Sequence, residues 1–370
     1  MDKGRFKKLN KYHVIFLVQN IMIGIGLLTL PKDISNVGNN QWIVPFLLGV
    51  IANLSIVPIV YIGTKFPNDS FFIVIEKLWG KILGTIVHLL IILYGILQVG
   101  NVIHSYLRLV QTVALPNYTV SLMSIALYIP LITIVLGGIK SIARFCMFSF
   151  FFTAWMMIFT KWAFQSGHWV NIIPTWEVSL LEWGKSFHYG FEAFFGFGIL
   201  AFFFPYIIDQ KRAFLHASIG IWIVVIIYAI VSLASVVYFS EWQLTNLLFP
   251  LLNLFQAVKL PFIERVEVFG TSLWAFLILS TSSAYLWISK KGFDAVFSKN
   301  KNRTWHLYAV AFLSWLLFNG PIPFQIQLLL FDEWNIFYGY FMLAIPYLLM
   351  ITFFIKNITD KPSRKGGIPS

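Results

Sequence analysis

A single cysteine, Cys146, stands among 370 residues, so no intrachain disulfide framework holds this chain together. Charge is scarce as well: Asp, Glu, Lys and Arg make up 11% of the sequence, and the acids number only 15. No polar stretch is long enough for a separate soluble domain. Weakly apolar segments are confined to about 165–185, about 240–265 and the tail after residue 355. Signatures of familiar catalysis are missing too. There is no P-loop, no G-x-S-x-G elbow and no paired-carboxylate arrangement, and the seven histidines show no metal-ligand spacing. The sequence indicates neither an enzyme nor a cofactor.

What fills the chain instead is apolar: 58% hydrophobic, 18% aromatic, with a mean hydropathy of +0.78. A soluble domain cannot hide that much apolar surface, so the solvent of this fold is lipid. The useful unit is then the span of roughly 20 apolar residues. Ten candidate spans read as about 12–31, 42–62, 82–113, 119–138, 145–164, 186–206, 215–239, 266–289, 305–320 and 335–355. The fold class expected is an all-α membrane protein. The N-terminal KGRFKKLNK before an apolar run has the look of a signal peptide, but no small-residue cleavage site follows and nine more spans do. The first span is expected to be retained.

The net charge of +12 takes its meaning from where it sits. With the N-terminus in the cytoplasm, 21 of the 27 Lys and Arg fall in inner segments, five in outer ones, and Arg108 lies within span 3. That bias follows the positive-inside rule and puts both termini in the cytoplasm. The basic excess reads as topology, and no nucleic-acid partner is implied. Residues 356–370 are polar, basic and rich in Pro and Gly, and are expected to form a flexible cytoplasmic tail. The amphipathic segment 68–81 is too short to span and is expected along the inner interface, and 248–269 resembles it on the outer side.

Ten spans invite two halves of five, about 12–164 and 186–355, within one transporter-like domain. Span 1 carries Gly24-Ile25-Gly26, and span 6, the first of the second half, carries Gly196-Phe197-Gly198 before Pro205. Matched interruptions of this kind point to a substrate site, because backbone freed at membrane depth is tolerated only where something polar uses it. Glycine also marks close helix packing, and for either motif alone that plainer reading stands.

GIGLLTLP at residues 24–31, FFFPYIIDQKRA at the end of span 6, LFQAVKLPFIER before span 8 and KKGFDAVF after it resemble the B subunit of bacterial spore germinant receptors, within the amino acid, polyamine and organocation transporter superfamily. The resemblance covers nearly the whole chain. It implies a LeuT-like five-plus-five inverted repeat with broken helices 1 and 6. It also implies a role in sensing a small germinant, an amino acid or nucleoside, in the inner spore membrane beside A and C subunits. Family members often carry Glu directly after the glycine of span 6, where this chain has Gly198 and Ile199; the nearest acid in that helix is Glu192.

Candidate ligand-binding residues follow. Gly24, Ile25, Gly26 and Leu27 would act through backbone amides at the positive end of a half-helix. Phe195, Gly196, Phe197 and Gly198 lie opposite. Gln98, Asn101, His104 and Arg108 share one face of span 3, either as a ligand-facing wall or as interhelix hydrogen bonds. Glu192 is an ionisable group inside a span and is a functional candidate by default, for proton, ion or gating, unless it sits at the outer interface. In STSSAY, Thr281 and Ser282 offer hydroxyls for an ion, and such residues also pack helices without one. A receptor subunit is the expected function, an amino-acid permease the alternative, and a scaffold with a vestigial pocket the third reading.

Overall fold

A computed structural model describes residues 8–261, 263–298, 301–320 and 334–359. Among these the chain is helical, interrupted by 3-10 turns and two isolated β-bridges. In order the helices are α1 (Lys11–Ile23), α2 (Gly26–Asp33), α3 (Val44–Lys65), α4 (Phe71–Trp79), α5 (Lys81–Val113), α6 (Val120–Leu136), α7 (Ile139–Thr153), α8 (Thr160–Ser166) and α9 (Leu180–Phe191). They continue with α10 (Leu200–Phe203), α11 (Ala213–Tyr238), α12 (Glu241–Asn246), α13 (Pro250–Gln256), α14 (Val266–Ser298), α15 (Thr304–Asn319) and α16 (Asn335–Thr359).

Among the described residues, seven helical stretches are long and apolar enough to cross a bilayer, and α1 with α2 make an eighth as a pair bent by 55°. The shorter apolar helices α6 and α15, of 17 and 16 residues, occupy the fourth and ninth spans read from the sequence. The tail beyond residue 359 lies outside the described residues.

Two helices are buried on every side, as helices at the centre of a bundle are. In α1 every residue from His13 to Ile23 is buried, and in α14 every residue from Leu277 to Lys290. Long α5 lies along α14. The pair is stitched by Ser289 Oγ donating to Ile92 O at 3.1 Å and Tyr106 Oη donating to Thr271 O at 3.0 Å. Small residues set the closest approaches. A Cβ on Gly220 of α11 would lie 2.6 Å from the carbonyl oxygen of Ile15 in α1.

The segment 68–81 does form an amphipathic helix, α4, capped by Ser70. Its apolar face, with Phe71, Phe72, Val74, Ile75 and Leu78, is buried against protein. His88 of α5 hydrogen-bonds the Phe72 carbonyl, and Trp79 donates to Thr352 of α16. Amphipathicity reveals that a helix has one apolar side and is silent on whether lipid or protein covers it.

Counting spans alternately from the N-terminus puts Lys8 and Leu9 at the same end of the bundle as the end of span 6. There Leu9 pairs with Ile207 in a parallel bridge, its amide donating to Tyr206 O at 2.9 Å and its carbonyl accepting from Ile208 N at 2.9 Å. Leu9 is fully buried there. Gly220→Ala should lower the unfolding midpoint of the detergent-solubilised protein by the equivalent of about 1–3 kcal/mol of overpacking. Gly184→Ala, at a glycine with nothing within 4 Å, should not lower it. Equal midpoints would refute the close approach of α1 and α11.

Candidate functional site

The bend in span 1 is built at Gly24, whose φ of +34° is one that L side chains rarely adopt. α1 ends there and α2 begins at Gly26. Bending a buried helix strands carbonyls that have no water to turn to, and side chains from two other spans reach them. Trp274 Nε1 of α14 donates to Gly24 O at 2.9 Å. Thr281 Oγ1 of α14 donates to Asn20 O at 3.2 Å. Tyr228 Oη of α11 lies 2.8 Å from Met22 O and 3.0 Å from Ala193 O, so its single proton is shared between span 1 and span 6. Sequence reading missed Trp274 and Tyr228. The one signal available was an aromatic with a polar handle inside a span, which usually finds a hydrogen-bond partner when buried.

Span 6 is interrupted differently. Its glycine segment does not part into two half-helices; Glu192–Ile199 tightens into 3-10 turns. Neither Gly196 nor Gly198 adopts a positive φ, and their contribution is space. A Cβ on Gly196 would lie 2.5 Å from Ile21 O and 2.6 Å from Met22 N, and one on Gly26 would lie 2.9 Å from Ala193 Cβ. The two interrupted spans therefore cross glycine against backbone, and packing and interruption, weighed as alternatives in the sequence, coincide.

Beside this crossing is a cavity of about 520 Å³. Its wall takes Ile21, Met22, Gly24, Ile25, Gly26, Thr29, Lys32 and Asp33 from span 1, and Gln98, Asn101, Val102, His104, Ser105 and Arg108 from α5. Span 6 adds Glu192, Ala193, Phe195 and Gly196; α14 adds Thr281 and Tyr285; Leu248, Phe249, Phe318 and Asn335 complete it. In spans 1 and 6 and in α5 these residues lie at the middle of the helix or toward the end away from Leu9, and α14 contributes from its middle.

The polar stripe on α5 thus faces the cavity as a unit. Ser105 Oγ donates to Asn101 Oδ1 at 3.2 Å, and Arg108 Nε donates to His104 Nε2 at 2.7 Å. Gln98 Nε2 donates to Asn335 Oδ1, and Asn335 Nδ2 donates to Glu192 Oε1, a chain joining α5, α16 and span 6. Glu192 itself is exposed, though Phe191 and Ala193 on either side are buried. Asn335, at the very start of α16, carried no sequence signal.

Four residues singled out from the sequence lie off the cavity wall. Leu27 and Phe197 are buried in the core. Gly198 faces Leu343, whose Cδ2 lies 3.2 Å from the Cβ position. Ser282 is fully buried beside Thr281, and its hydroxyl has no partner among the described residues.

Residues 8–325 match the family described as spore germination protein, Spore_permease. The chain belongs to that family. This germination-family chain is 27% identical to spore germination protein GerQB of Bacillus cereus over 286 residues, 77% of this chain and 79% of that one. It is 24% identical to spore germination protein A2 of Bacillus subtilis (strain 168), covering 96% and 98% of the two chains, and 25% identical to protein B2 of the same strain, covering 93% of each.

In fold it is similar to MhsT in complex with L-phenylalanine, with a TM-score of 0.67 at 16% identity, covering 92% of this chain and 88% of that one. It is also similar to Mhp1, a nucleobase-cation-symport-1 family transporter with bromovinylhydantoin bound, with a TM-score of 0.58 at 12% identity, covering 96% and 91%. The LeuT-type architecture implied by the sequence is the one observed, and the protein is a multi-pass, all-α membrane protein.

Removing either donor at the break leaves a buried carbonyl unsatisfied. Trp274→Phe and Tyr228→Phe should each destabilise the protein by about 1–3 kcal/mol, read as lowered unfolding midpoints in detergent. Unchanged midpoints in both variants would mean that other groups hold the bend.

Proposed function

We propose that this chain is the ligand-binding membrane subunit of a nutrient germinant receptor, and that it binds a small amino acid or nucleoside in the cavity where spans 1 and 6 cross. The observation that carries this reading is the coincidence of three things at one place: the positive-φ bend at Gly24, the 3-10 segment of span 6 and a cavity lined by both. A cavity of this size, with apolar side chains set among convergent polar ones, suits one small molecule. A ligand carboxylate would sit at the N-terminus of α2, where the amides of Gly26 and Leu27 begin the half-helix and no side chain caps it. Met22, Val102, Phe195 and Phe318 would take the apolar part. Thr281 and Ser282 stand ready as a place for an ion at the span 1–span 8 contact.

The Lys and Arg distribution supports an orientation with both termini in the cytoplasm, which in a spore is the core side. The cavity mouth, with Lys32, Arg108 and Leu248, then faces the incoming nutrient. In this reading two five-span repeats, about 12–164 and 186–355, form one domain of the spore inner membrane. Ligand binding shifts its conformational balance, and A and C subunits read out the shift. The fold shared with MhsT and Mhp1 favours a second reading, a secondary transporter that moves its ligand across the membrane.

Spores lacking this gene, screened against single amino acids and nucleosides by loss of optical density, should stop responding to one of them. The purified protein should bind that nutrient without net uptake in proteoliposomes. Concentrative uptake with normal germination would establish the transporter instead. Gly26→Trp and Gly196→Trp, where a Cβ alone already meets Ala193 and Ile21, should abolish the response while the protein still accumulates. A normal response from both variants would remove the cavity from the mechanism.

A further inference from the structure

Counted alternately, spans 1, 5 and 7 all begin at the end of the bundle where Leu9 bridges Ile207, as helices α1, α7 and α11. α1 lies between the other two. Its α11 side is marked by Ile15, Val18 and Gln19, which crowd the space that a Cβ on Gly220 would take. Its α7 side is marked by Phe16, whose ring centroid is 4.9 Å from that of Phe150, and by Asn20, which donates to Cys146 O. At 100° per residue, Lys11 falls on the α11 side, His13 on the α7 side and Tyr12 on the face between them.

That face is open at one end. Tyr12 is 50% exposed, Ile15 and Phe16 a turn further on are 9% and 8% exposed, and Gln19 is fully buried. On the opposite face of α1, Val14 and Leu17 are fully buried from the start. A cleft between α7 and α11 therefore opens at Tyr12 and closes at Gln19.

Cations gather at its open end. Lys140 and Arg144 of α7 lie within electrostatic reach of His13, and Lys11 and Arg212 lie within reach of His216 on α11. Lys11 Nζ sits over the Tyr12 ring, 4.9 Å from its centroid, which brings that charge over the open face. Among the described residues Asp209 alone pairs with any of the four, 3.8 Å from Arg212, and both of these are exposed. Like charges gathered at one place repel, and an anion seated among them relieves that repulsion.

The helices then continue these cations into apolar stripes. On α7, Lys140, Arg144, Phe148 and Phe152 follow at intervals of four, and all are exposed. On α11, Arg212 leads to Leu215, Ile219 and Trp222 at intervals of three and four, again all exposed. A charged end at the interface followed by an apolar length at membrane depth is the profile of a phospholipid.

We propose that the cleft between α7 and α11 at the start of α1 binds the headgroup of an anionic phospholipid. Lys140 and Arg144 flank its phosphate on one side, Lys11 and Arg212 on the other, and its acyl chains follow the two stripes. A soluble phosphate would gain the cations alone, whereas a lipid gains the stripes as well. Tyr12 suits this depth, since an aromatic ring with a hydroxyl belongs at the headgroup level. In the orientation proposed above this is the cytoplasmic leaflet, whose surface is the anionic one. A lipid seated there ties the start of α1 to α7 and α11. The inference does not depend on what the cavity binds.

The test titrates the full-length protein in a neutral detergent with phosphatidylglycerol or with phosphatidylcholine of the same acyl chains, counting bound lipids by native mass spectrometry. Wild-type protein should bind phosphatidylglycerol about 10-fold more tightly or better, a comparison that needs no variant. Lys140→Gln combined with Arg144→Gln should weaken phosphatidylglycerol about 30-fold and leave phosphatidylcholine unchanged. Lys65→Gln combined with Lys301→Gln removes the same charge from exposed positions elsewhere at this end, and should leave both lipids unchanged. Glycerol 3-phosphate, which has the anion without the chains, should not displace the lipid. Equal binding of the two lipids by the wild type, or equal losses from the two double variants, would overturn the site. Displacement by glycerol 3-phosphate would overturn the lipid assignment in favour of a soluble phosphate.

Discussion

A helix inside a bilayer finds no hydrogen-bond partner in lipid for a freed backbone group, so a bend there exists only where protein groups or a polar cavity take over the lost hydrogen bonds. The bend of span 1 is such a place, and the arrangement of the molecule around it follows from that requirement. Trp274 and Thr281 reach it from α14, and Tyr228 reaches it from α11. Each must come from a helix packed directly on α1, which is why α1 is buried on every side and why α14 is buried without a break from Leu277 to Lys290. The centre of the bundle is thus set by where carbonyls need donors as much as by where apolar surface needs cover.

The glycines serve the same centre. At Gly24 the backbone takes a dihedral that a side chain would oppose, and at Gly26 and Gly196 the missing Cβ lets one span lie against the other's backbone. Close contact at the crossing leaves the space for a small molecule beside it, walled by the polar face of α5. Tyr228, placed between Met22 O and Ala193 O, makes span 1 and span 6 share one proton donor. A ligand that moves either span alters that sharing.

Hydropathy made the spans legible, because lipid imposes length and composition on every crossing segment. The five-plus-five layout was legible from paired glycines at corresponding positions, and the α5 stripe from its spacings of three and four. The local form of the second interruption was not. GFG contains the same small residues as GIG, yet it stays within helical dihedrals as 3-10 turns, and only the neighbouring backbone of Ile21 and Met22 decides that. For the same reason Leu27, Phe197 and Gly198 turn away from the cavity, since adjacency in sequence places a residue near a break without saying which way it faces. Asn335 entered through tertiary contact alone, because a polar residue at the start of a span reads from sequence as the boundary of the apolar run. The burial of α4 shows the same limit, because an apolar face is equally suited to lipid and to α5 and α16.

The 3-10 segment has a geometric property apart from its lining of the cavity. Eight residues from Glu192 to Ile199 rise about 2.0 Å each in 3-10 form and about 1.5 Å each in α form. Relaxation of the whole segment to α-helix would shorten span 6 by about 4 Å and turn its two ends relative to each other by about 160°. The far end of that span is tied to Leu9, just before α1, through the Leu9–Ile207 bridge. Span 6 therefore has the makings of a screw, in which a local change of helical pitch beside the cavity becomes a push and a twist at the opposite face of the membrane.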